Sequence, residues 1–88
     1  MNPRDPRSGM WQLVSSENLA WTRYRVKDGA MDVIFRNAPS LVYTYENVTW
    51  ETYRRVVMAK SIGQEFNLLI RSRPEDHPYT RKRKRITR

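Results

Sequence analysis

The chain has 88 residues, 17 Lys and Arg against 9 Asp and Glu, a formal net charge of +8 and no cysteine. That length allows one domain with a thin core. The absence of cysteine excludes a disulfide framework and thiolate metal sites. The longest apolar run, Val56 to Ala59, falls far short of the about twenty residues a membrane helix needs. No secretory-type apolar stretch lies near the start, so a soluble, cytoplasmic protein is expected.

Residues 1–10, with two prolines, a glycine and mixed charges, read as a flexible arm. Residues 11–16, WQLVSS, suit a short strand or a clip against the core, and Ser15 or Ser16 followed by Glu17 and Asn18 reads as a turn. Three strands follow. Residues 19–26, LAWTRYRV, are rich in aromatic and β-branched side chains. Residues 31–36 alternate, with Met31, Val33 and Phe35 on one face and Asp32, Ile34 and Arg36 on the other. Residues 41–46 place Leu41, Tyr43 and Tyr45 on one face and Val42, Thr44 and Glu46 on the other. The links KDGA and NAPS carry turn chemistry: Asp28-Gly29 accepts positive φ, and Pro39 restricts the backbone. The expected unit is a three-stranded antiparallel meander.

Two helices come next. Thr49 suits an N-cap, and Trp50, Tyr53, Val56 and Val57 recur at helical spacing, leaving Glu51, Arg54 and Arg55 outside. Ser61 with Gln64 forms a capping box, after which Ile62, Phe66, Leu69 and Ile70 share a face. Gly63 in the first turn costs about 1 kcal/mol relative to Ala, which suggests close approach by another backbone. Fold class is therefore α+β, β-β-β-α-α, with both helices on one face of the sheet. The wholly apolar or aromatic side of the third strand should meet them. Residues 11–73 form this domain, and 74–88 are expected to be a largely extended or disordered basic tail.

The charge sits mostly in that tail. Residues 1–70 carry 9 Lys and Arg against 7 acidic groups, whereas residues 71–88 carry 8 against 2. Arg81, Lys82, Arg83, Lys84 and Arg85 are consecutive, and Arg88 follows. Such a block stays solvated and attracts polyanions by counterion release. With Arg71 and Arg73 it forms the candidate binding surface, and Arg54, Arg55 and Lys60 could extend it from the helices.

Catalytic constellations are not visible. His77 is the lone histidine, between Asp76 and Pro78 in the tail, where a solvated ring is expected. Gly9, Gly29 and Gly63 are scattered and form no phosphate loop. Glu75 and Asp76 alone are too few to hold a metal ion, and no cofactor is expected. A helix-turn-helix over 49–71 would offer only Gln64, Glu65, Asn67 and Arg71, and three strands before it argue against that reading. Aromatic side chains on a free sheet face could stack bases, or they could simply fill the core.

Taken together, VSSENLA at 14–20, the Tyr43-Thr44-Tyr45 triplet, Tyr53 and SIGQEFNLLIR at 61–71 resemble the KTSC domain. This module is named for the C-terminus of some lysyl-tRNA synthetases and also occurs alone in short bacterial and phage proteins. Ser61, Gly63, Phe66, Asn67, Ile70 and Arg71 stand where the family's Ser-x-Gly-x-x-Phe-x-x-x-Ile-Arg pattern wants them. The resemblance spans about residues 14–72, and the segment after Pro74 lies outside it. It implies no enzymatic activity, and it suggests RNA binding. The expected function is a non-enzymatic nucleic-acid-binding protein, for RNA or single strands, acting largely by electrostatics. The alternative is a phage-type or accessory protein that binds and modulates a host protein through the domain and basic tail, the tail engaging an acidic groove on that partner.

Overall fold

The computed structural model describes residues 10–83. Five strands, β1 (Gln12–Leu13), β2 (Leu19–Arg25), β3 (Ala30–Phe35), β4 (Leu41–Tyr45) and β5 (Tyr79–Arg83), form one sheet. All neighbours are antiparallel, and spatial order follows chain order. Between β4 and β5 lie α1 (Trp50–Val57) and α2 (Ile62–Phe66), the latter continued by a π-helical turn, Asn67–Arg71.

Local chemistry explains most of these boundaries. Ser16 Oγ accepts from the backbone N–H of Asn18 and of Leu19, which makes the turn into β2. Gly29 closes the β2–β3 link at φ +62°, and its N–H donates to the Arg25 carbonyl. At the end of β4 the chain turns through Asn47 at φ 57°, a left-handed conformation that Asn tolerates better than most residues. Thr49 Oγ1 accepts from Thr52 N–H to start α1, and Ser61 Oγ accepts from Gln64 N–H to start α2.

The helices cover one face of the sheet. Leu19, Tyr24, Met31, Val33, Phe35 and Tyr45 from the strands meet Tyr53, Val56, Ile62, Phe66 and Ile70 from the helices. The faces of α1 and α2 read from the spacing are therefore the buried ones, with Glu51, Arg54 and Arg55 outside. Phe66 is fully buried, with its ring edge-on to Phe35 and Tyr45. The polar tips of the core tyrosines find partners. Tyr24 OH donates to the Val48 carbonyl at 2.8 Å, and Tyr53 OH lies 2.9 Å from Thr22 Oγ1. Tyr45 points inward, and burial pushes its hydroxyl up to about 12 against the pull of Arg71.

The structure departs from expectation at the sheet edges. The sheet has five strands, not three. WQLVSS supplies a two-residue edge strand, one of the two forms expected of it, and the basic segment supplies the other edge. Residues 79–83 were expected to stay a solvated tail outside the domain. They pair with β4 from Leu41↔Arg83 to Tyr45↔Tyr79, while every side chain of β5 remains exposed. The backbone gains a ladder and the cations keep their water, so the charge run does not oppose strand formation. The domain thus extends beyond residue 73. The arm at 1–9 and the end of the basic block at 84–88 lie outside the described residues.

Gly63 also departs from expectation. A Cβ there would meet Asn18 Nδ2 at 3.5 Å and Ser16 Oγ at 3.6 Å. These are ordinary contacts with side chains, and no backbone approach demands glycine.

Candidate nucleic-acid interface

No helix lies on the other face of the sheet among the described residues. The strand registers lay its side chains in two rows. Continuing the pairing across the strands, the first row runs Leu13, Trp21, Ile34, Val42 and Lys82. The second runs Trp11, Arg23, Asp32, Thr44 and Thr80. The first is apolar and ends on a cation. Leu13 and Trp21 are 69% and 39% exposed, and Ile34 is buried between its neighbours.

The second row is built around Asp32, whose side chain is fully buried. Its Oδ2 accepts from Arg23 Nε (2.9 Å) and Nη2 (2.6 Å) and from Arg25 Nε (2.8 Å). Its Oδ1 accepts from Thr44 Oγ1 (2.6 Å). The hydrogen bond to Asp32 is the main cause holding the Arg25 guanidinium even more firmly charged than usual. One carboxylate between two guanidiniums leaves a positive residue of charge, partly shared with Asp28, which lies 3.6 Å from Arg25. Trp11 completes the row, its ring 4.5 Å from the Arg23 guanidinium carbon. Such a cation–π contact and the carboxylate together fix the arginine's plane. Around these rows lies a shallow concavity of about 820 Å³, reached also by Arg83 and, as its one acidic rim residue, Glu46.

The residues expected to bind do not gather in one place. Lys82 joins the open face, and Arg81 lies on the opposite parity of the same strand, across from Tyr43. Arg71 sits on the helical side, its guanidinium 5.4 Å from the Phe35 ring. Arg73 is exposed just beyond it. Arg54 and Arg55 lie on the outer face of α1, where Arg55 faces Glu65 at 3.7 Å. Lys60 borders a separate polar cleft of about 610 Å³ between Ser16, Asn18, Arg36, Ser61 and Asn67. Lys84, Arg85 and Arg88 fall outside the described residues.

His77 is less solvated than expected. Its Nδ1 lies 3.0 Å from the Glu46 carbonyl, the Glu46 N–H donates to the Pro78 carbonyl, and Asn47 Nδ2 donates to the Asp76 carbonyl. These three contacts latch the segment that leads into β5.

Trp11, Trp21, Arg23 and Arg25 were absent from the expected site. For three of them the signal was present in β2, where Trp21, Arg23 and Arg25 share one parity and Thr22 and Tyr24 the other. Trp11 precedes β1 and joins them only through the strand register.

This five-stranded meander with two helices inserted before its last strand has a solved counterpart. A KTSC domain protein from Yersinia pestis superposes with a TM-score of 0.67, covering 84% of this chain and 94% of that one at 20% identity. The fold is that of a KTSC domain. No protein-family profile matches the sequence, and no curated protein does. In this KTSC-like domain the segments that carry the sequence resemblance have visible structural duties. Ser16 shapes the turn into β2, its carbonyl accepts from Arg36 Nε at 2.6 Å, Ser61 caps α2, and Phe66 and Ile70 fill the core.

Proposed function

We propose that this is a small non-enzymatic nucleic-acid-binding protein that uses the open face of its sheet. The supporting observation is the placement of β5, which sets Lys82 beside an apolar and aromatic row and keeps Arg81 and Arg83 of the same strand in water. Phosphate contacts supply affinity through counterion release, and a half-exposed aromatic row offers surface to bases. Among the described residues no cluster of three or more His, Cys, Asp or Glu is poised to hold a metal ion.

The test is binding of labelled RNA and DNA to the full chain across a salt series. We expect affinity to fall with salt, by about 0.7 in log–log slope per phosphate neutralised on a single strand. Replacing Arg81, Lys82 and Arg83 with Ala should lower that slope by about 2. Absence of binding at low salt would discard this function. A stoichiometric protein partner that survives nuclease treatment, in a protein that binds no nucleic acid, would favour modulation of a host protein instead.

A further inference from the structure

The apolar row points to a more specific ligand. We infer that Trp21 is a stacking platform for unpaired bases, so that the open face selects single strands over duplex. This rests on the nucleic-acid reading above and assigns its ligand class.

Three features of the face carry the inference. Trp21 is 39% exposed on the second strand of the sheet, with Leu13 more exposed on one side of it and Ile34 buried on the other. A large aromatic left half in water on a strand forfeits burial that its helix-facing neighbours Thr22 and Tyr24 enjoy. Cations lie near that platform in two directions. Arg23 and Arg25, held by Asp32, follow Trp21 along β2, and Lys82 ends the row across the strands. From β2 to β5 is three strand spacings, about 14 Å, a distance that a short single strand can bridge. A duplex hides its base faces and could offer this surface only phosphates and groove edges. An unpaired strand offers both a planar apolar face for Trp21 and phosphates for the flanking cations.

Asp32 adds directionality to the same surface. By holding Arg23 and Arg25, it fixes both guanidiniums beside the open face without the entropy of two free side chains. Trp11 over Arg23 shows that a flat ring already fits on this guanidinium.

The experiment uses the full chain, a fluorescent oligouridine and a duplex of equal phosphate count, at low and at physiological salt. We expect tighter binding to the single strand and quenching of tryptophan fluorescence on binding. Trp21→Ala should weaken the single strand by about 5- to 150-fold, the range for loss of one stacked base, and leave duplex binding and the salt slope unchanged. Trp21→Phe should restore most of the loss. Lys82→Ala should instead reduce the salt slope for both ligands, by about 0.7 for the single strand and about 0.9 for the duplex. Circular dichroism and the urea midpoint establish that each variant is folded. If Trp21→Ala binds the oligouridine as the parent does while Lys82→Ala is weakened, stacking is wrong and the electrostatic reading survives. Equal or tighter binding to duplex also overturns the inference. If neither ligand binds at low salt, both readings fall.

Discussion

Asp32 is the side chain on which most of the open face depends. A buried carboxylate is costly unless all its lone pairs are used, and here two arginines and a threonine use them. Asp32→Ala should lower stability by about 2–3 kcal/mol, less than the about 3–5 kcal/mol of a wholly buried pair, because both arginines can swing into water. A urea denaturation midpoint that does not move would refute this. Phe66→Ala should cost about 3–5 kcal/mol, enough to threaten so small a domain, and a well-folded variant in the same assay would contradict the core assignment. Tyr45 gives a pH signature. Its folded value, about 12, lies above the ordinary 10.0, so its contribution is complete below pH 10 and is lost as pH rises towards 12. Tyr24 and Tyr53 are also pushed up by burial and act in the same direction. The melting temperature should therefore fall steeply above pH 10, and Tyr45→Phe should flatten that fall; a flat profile to pH 12 would be the contrary result.

Elements differed in how plainly they could be read. The β2–β4 meander and both helices were legible because alternation, turn residues and caps agree: Gly29 takes positive φ, Thr49 and Ser61 cap, and Tyr53, Val56, Phe66 and Ile70 are buried. β5 was not legible, since strand pairing at an edge is decided by the neighbour's free backbone and not by the side chains of the strand itself. Thr80 and Tyr79 have strand propensity, but the cations after them dominate any compositional reading. Tyr79 is exposed like the rest of β5, but its ring also lies 5.5 Å from Tyr43 and 5.3 Å from Tyr45. Tyr79→Ala should cost about 0.5–1.5 kcal/mol through these aromatic pairs and raise amide exchange in residues 79–83; unchanged exchange would show that the latch at His77 suffices alone. For α2, Gly63→Ala should be neutral or stabilising by up to about 1 kcal/mol, because ordinary contacts await the new methyl. Destabilisation would mean that the turn around Ser16 cannot yield.

Across the whole molecule, charge and hydrophobicity are sorted by layer. The helices and one sheet face build the core, whereas the open face mixes exposed aromatic groups with guanidiniums. The site was only half legible for this reason. A run of five cations is visible in any composition, but the platform beside it is assembled from β1, β2, β3 and β4, and only pairing registers align Trp21 with Ile34 and Val42. Among the described residues no helix is long and apolar enough to cross a membrane. The outer edge of β5 has a colloidal consequence. Among the described residues no strand pairs with that edge, and such an edge invites a second copy; here pairing would bring Arg81, Lys82 and Arg83 of two chains together, and like charges keep the edges apart. A bound polyanion would neutralise that repulsion while leaving the edge's backbone groups unpaired. The dispersed state of the protein would then depend on its ligand, with turbidity appearing near charge balance and clearing again when either component or salt is in excess.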